Sequence, residues 1–379
     1  MSPFRVIVGL SGGVDSAVAA LRLLEEGYRV EGLFMRNWND PDDPGYCPAE
    51  HDLEAAREVA AHLGIPLRRV DFTARYWNRV FERFLAEYAA GRTPNPDILC
   101  NREIKFRAFL DHALELGATQ VATGHYARVE PGPDGRPRLL RGLDPAKDQS
   151  YFLHAIDRRA LGHVRFPLGR LTKDEVRRRA RAAGLPNHDR PDSTGICFIG
   201  ERRFDEFLGS YLTARPGPML TPGGERMGEH RGLMHYTLGQ RQGLGIGGGR
   251  GEPGKAWYVL AKDVARNRLY VGQGADHPWL RAEGLLTEAP HWLTPGSPAL
   301  PARLSAQIRY RQPPVACRVA TAAAGGGGLA VRFEAPQRAV TPGQSLVLYD
   351  GATCLGGAVI TAPVPDPLAT AAADPATVT

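Results

Sequence analysis

The sequence predicts an α/β protein: a doubly wound parallel sheet at the N-terminus, then a small β-rich domain, then a C-terminal β-barrel. Three observations carry this prediction. Over the first 125 residues, β-branched runs alternate with segments of helical periodicity. After Arg215 glycine and proline become dense and helical periodicity fades. Near the C-terminus, "ARLSAQIRYRQPPVACRVA", "LAVRFEA" and "SLVLYDGATCLGGAVI" read as short strands at regular spacing.

Taken in order, strands are expected at 4–9, 29–35, 67–71 and 119–124, and helices at 14–26, 51–63, 74–90 and 102–116. This alternation is that of a parallel sheet with helices on both faces. Residues 147–212 read as mostly helical and basic, with the basic helical part near 158–190. The expected domains are 1–212, 213–275 and 276–363, with a disordered tail at 364–379 rich in alanine, proline and threonine. In the middle domain "AWYVLAKDVARNRLYVG" suggests two strands around a turn.

At 379 residues the chain is long for one core, so two or three domains are expected. The net charge of +6 leans toward a polyanionic partner. That charge is uneven. Between Arg158 and Arg181 nine Arg or Lys stand against two acids, a local excess larger than that of the whole chain. Such a run reads either as a nucleic-acid contact or as a solvated helix face. Five cysteines and the lack of a signal-peptide pattern predict a reducing, cytoplasmic setting. No apolar run approaches the ~20 residues of a membrane span.

The most informative stretch is "VIVGLSGGVDSAVAA", residues 6 to 20. A buried strand turns into a helix across Ser11-Gly12-Gly13. Glycines let backbone approach a ligand, and a helix start presents free N–H groups to an anion. Ser11 and Ser16 add hydroxyls. The common phosphate loop requires a GxxxxGK[ST] pattern, and this stretch has no lysine. Ligands of parallel sheets bind at the carboxyl ends of strands. Met35 ends a second strand there, and "TGHY" (123 to 126) a third.

Two cysteines stand out. Cys100, in "RTPNPDILCNREIKF", is expected where irregular backbone meets a helix starting at Asn101 or Arg102, beside the cations Arg102 and Lys105. That setting favours a thiolate. Cys197 lies in "DSTGICFIG", flanked by glycines. Cys317 and Cys354 fall in apolar strand patterns and read as small buried hydrophobes, and Cys47 as a loop thiol. Asp97 is a candidate base, or a turn residue. The chain has five lysines, at 105, 147, 173, 255 and 262, and uses arginine elsewhere. Lys105 and Lys147 are the two marked as point charges near candidate chemistry.

Together with SGGVDS, the segments "GLFMRNW", "GRTPNPDILCNREIKF", "ATGHYAR", "KDQSYFL", "DSTGICFIG", "HRGLMHYTLGQRQGLGIGG" and "PQRAVTPGQSLVLYDG" resemble the bacterial tRNA-uridine 2-sulfurtransferases, the 2-thiouridylase family. The likeness runs from about residue 4 to 362. It implies a pyrophosphatase-loop, Rossmann-like N-terminal domain. It places ATP, with Mg2+, against Gly9, Leu10, Ser11, Gly12, Gly13, Val14, Asp15 and Ser16, with Met35 and Gly124 near the adenosine. It puts the target base of tRNA against Asn95, Pro96 and Asp97. It assigns tRNA contacts to His125, Lys147, Asp148, Gln149, Arg309, Tyr310 and Gln344. Cys100 becomes the nucleophile and Cys197 the persulfide carrier. The substrate implied is the wobble uridine of the tRNAs for Lys, Glu and Gln, with sulfur from a persulfide-donating relay protein or a cysteine desulfurase.

Three other readings remain at this level. An ATP-dependent ligase could use the same loop to transfer nitrogen, but it gives the two cysteines no role. Cys100, Cys197 and Asp97 could ligate a sulfur-carrying iron–sulfur cluster. A tRNA-binding module with a vestigial ATP site would leave SGGVDS and both cysteines unexplained.

Overall fold

The computed structural model describes residues 4–38, 48–192, 204–246, 254–323 and 326–369. Cys47 and Cys197 lie outside them. The N-terminal domain has the order β1 (Arg5–Gly9), α1 (Val14–Glu25), β2 (Arg29–Arg36), α2 (Pro48–Leu63) and β3 (Leu67–Asp71). A helical run follows: α3 (Thr73–Tyr76), a π stretch at Trp77–Phe81, and α4 (Glu82–Ala89). Next come α5 (Pro96–Cys100), a second π stretch at Asn101–Ala108, α6 (Phe109–Glu115) and β4 (Gln120–Ala122). A hairpin of β5 (Ala127–Pro131) and β6 (Pro137–Arg141) leads to α7 (Ser150–Leu153), β7 (Val164–Arg165) and α8 (Lys173–Ala182).

The five-stranded sheet has the order β3-β2-β1-β4-β7, and every pairing in it is parallel. Its pleat splits the apolar residues between two layers. Val6 and Val8 face the cluster that includes α1, α2 and α8, while Ile7 faces the cluster that contains Cys100, Phe109 and Met35. All three strand residues are fully buried. This is the doubly wound architecture expected from the sequence, with both faces covered.

The helix α9 (Phe204–Tyr211) precedes a four-stranded sheet of β8 (Gly217–Leu220), β9 (Arg226–His230), β10 (Trp257–Asp263) and β11 (Arg268–Gln273). The C-terminal part runs through β12 (Arg281–Thr287), β13 (His291–Trp292), β14 (Ala302–Gln307), β15 (Val315–Thr321), β16 (Leu329–Arg338), β17 (Ser345–Asp350) and β18 (Thr353–Val364). The order β12-β16-β15-β14-β17-β18 closes when β18 pairs β12, from Gly284 with Val364 to Thr287 with Ile360. Closure removes the exposed sheet edges. Leu285, Val319, Leu346, Leu348 and Ile360 fill the interior, all fully buried.

Four expectations are corrected. The helix carrying Cys100 begins at Pro96 rather than near residue 102, because Asn95 caps it and Pro96 suits the first helical position. The segment 147–212 is less helical than its periodicity suggests: α7 is four residues long, Arg158–Gly162 is a 3-10 turn, and β7 intervenes. The hairpin β5–β6, unforeseen, leaves its own domain and joins the C-terminal sheet through Leu140 paired with Thr353. The first residues of the expected tail are ordered, since β18 runs to Val364 and the Asp366 side chain accepts from Leu368 N. Residues 370–379 of that tail lie outside the described residues.

Candidate active site

The turn after β1 is built as an anion site. Gly13 is the N-cap of α1 in extended conformation, and no side chain caps the helix start. Its first N–H groups therefore face outward without an internal acceptor. Ser16 Oγ donates to Gly13 O at 2.9 Å and accepts from Ser11 N at 3.2 Å, which folds the turn tightly. Gly12 has φ +77°, and a Cβ there would lie 2.5 Å from Asp52 O, so only glycine fits. Gly124 closes the third strand end against α1: a Cβ on it would lie 2.8 Å from Ser16 N. Gly9 sits under the Met35 methyl and the Phe109 ring, 3.3 and 3.5 Å from where its Cβ would be. The strand ends of β1, β2 and β4 thus converge as the sequence suggested. Leu10 and Val14 are buried beneath the turn.

The lysine missing from the loop sequence arrives from α8. Lys173 Nζ lies 2.8 and 2.9 Å from the Asp15 carboxylate oxygens and 2.7 Å from Asp192. Tyr126 donates its hydroxyl to Asp15 at 2.8 Å. Burial first, and then the Asp15 charge, push the Tyr126 phenol up, so it remains a donor. Asp192 also receives Lys147 at 2.7 Å and Arg177 at 3.0 Å. Burial raises its carboxyl, but the hydrogen bonds from Lys147 and Lys173 and their charges outweigh that and hold it at about 2.

The segment 187–192 is tied onto the glycine turn. Asn187 Nδ2 donates to Gly12 O at 2.8 Å and Arg190 Nη1 to the same carbonyl at 3.2 Å. Arg190 also pairs with Asp52 of α2. Arg177 donates to the carbonyls of His188 and Arg190, 3.2 Å each. Sequence reasoning missed Asn187, Arg190, Asp192 and Lys173. Lysine scarcity is a usable signal, but the sequence neighbours single out Lys105 and Lys147 and leave Lys173 unmarked.

Cys100 ends α5, one turn beyond the cap, and is fully buried with Met35, Ile98 and Phe109 in the largest apolar cluster. The expected site in irregular backbone is therefore replaced by a packed helical one, and Arg102 is drawn aside by Glu103 at 2.8 Å. Asn95 Oδ1 accepts from Asp97 N at 3.1 Å, so Asn95 is the cap and Asp97 stands in the first turn. The neighbouring Asn101 donates to Phe152 O at 3.3 Å, and the Phe152 ring packs 4.3 Å from Tyr310. Cys317 and Cys354 are buried in β15 and β18, and burial pushes each thiol up to about 12.

Several residues assigned to tRNA are committed internally. Asp148 is buried, pairs with Arg141 at 2.8 Å and accepts from Gly142 N and Ser150 N. Gln149 Oε1 accepts from Tyr126 N at 3.0 Å. Arg309 Nη2 donates to Leu238 O, Ala339 O and Thr341 Oγ1. His125 is buried between Phe106 and Phe166, with its Nδ1 2.8 Å from Thr123 Oγ1. Burial, helped by the Lys105 charge, holds it well below the usual histidine range, hence neutral at pH 7. Lys147 meets Asp192, and Gln344 Nε2 donates to Thr93 O at 2.8 Å. Most cations of the 158–181 run are also paired: Arg165 stacks over Tyr28, Arg170 meets Glu130, Arg179 meets Glu25 and Arg181 meets Asp189.

An uncapped helix start at the strand ends of a parallel sheet is the anion-binding arrangement of the α/β nucleotide-handling class. Family profiles divide the chain accordingly: a tRNA methyl transferase HUP domain over residues 4–201, a PRC-barrel domain over 205–273 and an aminomethyltransferase β-barrel domain over 282–360. A tRNA-specific 2-thiouridylase MnmA of Halorhodospira halophila is 60% identical over 361 residues, 95% of this chain and 94% of that one. That of Alcanivorax borkumensis is 58% identical, over 94% of this chain and 97% of its own. The chain belongs to the tRNA-specific 2-thiouridylase family. No helix among the described residues is long and apolar enough to cross a membrane.

Proposed function

We propose that the protein is a tRNA-uridine 2-sulfurtransferase that thiolates C2 of the wobble uridine in the tRNAs for Lys, Glu and Gln. The observation that carries the reading is the convergence of three strand ends on the uncapped start of α1, with Cys100 in the apolar cluster that also holds Ile7 and Met35 of that sheet. ATP, entering with Mg2+, lies against Gly9–Ser16, its phosphates on the α1 N–H groups and the Ser11 hydroxyl, while the Ser16 hydroxyl braces the turn. Met35 and Gly124 border the adenosine. Asp15 and Lys173 form the charged side of this grip.

The chemistry balances. The uracil C2 oxygen attacks the α-phosphorus of ATP and pyrophosphate leaves, converting a poor leaving group into AMP. Cys197 carries a persulfide received from a sulfur-relay protein or a cysteine desulfurase. Cys100, as thiolate, attacks the Cys197 sulfur and releases hydrosulfide, which adds to C2. AMP then departs with the C–O electron pair, and the Cys100–Cys197 disulfide is reduced by thiol exchange. The base must leave the anticodon stack to reach the Asn95–Asp97 turn.

The test is mass spectrometry of tRNA nucleosides after incubation with ATP, Mg2+ and a persulfide donor. The wild-type protein yields 2-thiouridine. Cys197→Ser yields none and carries no transferable sulfur, whereas Cys100→Ser still loads Cys197 but fails to thiolate. Full activity of either variant would sink the relay. Stoichiometric iron and labile sulfide after anaerobic purification would favour a cluster instead.

A further inference from the structure

The segment just before the cap of α5 is held by both other domains. From the four-stranded sheet domain, Lys262 Nζ donates to Gly91 O at 3.0 Å, and Thr237 Oγ1 lies 3.4 Å from Thr93 Oγ1. From the barrel, Pro342 O accepts from Thr93 N at 3.0 Å and Gln344 Nε2 donates to Thr93 O at 2.8 Å. Both backbone groups of Thr93 are thereby taken by one barrel turn. The approach is close: Gly343 has φ +92°, and a Cβ on it would lie 2.8 Å from Thr93 N. Arg309 fixes that turn to the middle domain by bonding Leu238 O and Ala339 O together. Only Pro94, with its fixed φ, separates Thr93 from the cap Asn95.

We propose that Gln344 is a positioning residue: through Thr93 it sets the Asn95–Asp97 turn and the helix that carries Cys100. The inference rests on the thiolation reading and deepens it, because it makes the barrel part of the base site rather than a separate RNA-docking module. The side chain is half-buried, with its amide nitrogen directed to Thr93 and no RNA needed to hold it there. Contact with tRNA, the role implied by the family resemblance, is the competing outcome.

The full-length protein is tested with Gln344→Met, which keeps the length and loses the donor, and Gln344→Glu, which sets an acceptor against the Thr93 carbonyl. Three quantities are measured: tRNA Kd, kcat for thiolation at saturating tRNA, and the alkylation rate of Cys100 by peptide mapping. A positioning role leaves Kd within about 2-fold. It lowers kcat by about 10-fold in the Met variant, the equivalent of one net hydrogen bond. The Glu variant loses more, and Cys100 alkylation speeds up in the same order. Kd weakened more than about 10-fold with kcat unchanged would overturn the proposal in favour of RNA contact, and unchanged values throughout would overturn it outright. If the Glu variant does not fold, the Met variant decides alone. If the wild-type protein yields no 2-thiouridine, the functional reading fails, while the Cys100 alkylation rates still decide whether Gln344 sets this helix.

Discussion

Around Ser11–Ser16 the fastenings come from within the parallel-sheet domain and include the Asp15–Lys173 ion pair; around Gly91–Thr93 the two other domains add hydrogen bonds of their own. Asp15 pairs with Lys173, Lys173 also meets Asp192, and Asp192 in turn meets Lys147 and Arg177, a chain of alternating charge. Thr93 instead meets one backbone carbonyl, one carboxamide and one hydroxyl. The difference suits the proposed ligands. A triphosphate brings charge, and a site of exchangeable ion pairs can redistribute to meet it. A uracil is neutral and must be placed by geometry, which short hydrogen bonds to a rigid turn provide.

Breaking the ionic end should have the largest effect. Asp15→Ala leaves Lys173 to Asp192 and removes the acceptor of the Tyr126 hydroxyl. Pyrophosphate release should fall by about 100-fold or more, with the fold retained by circular dichroism. Normal release by this variant would contradict the placement of ATP.

The next test separates two neighbouring arginines. Arg177 is bound to the 188–192 segment, whereas Arg178 is 74% exposed and faces Glu175 only at 4.0 Å. Arg177→Glu sets like charges together beside Asp192 and should weaken ATP binding by roughly 10-fold, with little change in the salt dependence of tRNA binding. Arg178→Glu should leave ATP affinity alone and reduce the salt slope of tRNA binding by about 1. Unchanged slopes in both variants would mark the basic run as purely internal pairing.

The smallest effect sharpens the contrast through pH. Lys262 is half-buried beside Gly91, and the desolvation of its ammonium lowers its pKa to about 8. Between pH 8 and the unfolded value near 10.5 the unfolded chain binds more protons, so this residue makes stability rise with pH across that window. Asp192 works the other way at the ionic end. Its depressed pKa contributes stability above the unfolded value of 3.8, lost as pH falls toward about 2. Urea unfolding of Lys262→Met should lack the alkaline rise, and that of Asp192→Asn should lack the acid loss. A wild-type profile in either variant would remove the residue from its assigned interface.

Much of this molecule was set by local sequence. The alternation of β-branched runs and helical periods dictates the parallel sheet, because each strand must bury both faces under helices. The SGGVDS turn was readable because Gly12 needs positive φ and a helix start needs no side chain to present its N–H groups. The Asn95-Pro96 cap is equally local chemistry, yet the expected helix starts only near residue 102, because the proline-rich stretch reads as irregular backbone. Tertiary structure alone decided the rest. Lys173 reaches Asp15 across 158 residues, and Gln344 reaches Thr93 across 251. No periodicity records such pairs, since each partner obeys only its own helix or strand. Cys100 shows the same divide: its sequence neighbours suggest a thiol beside cations, but the packing of its helix against the two π stretches and α7 buries it. Burial and pairing are properties of surfaces brought together, and those surfaces exist only in the folded chain.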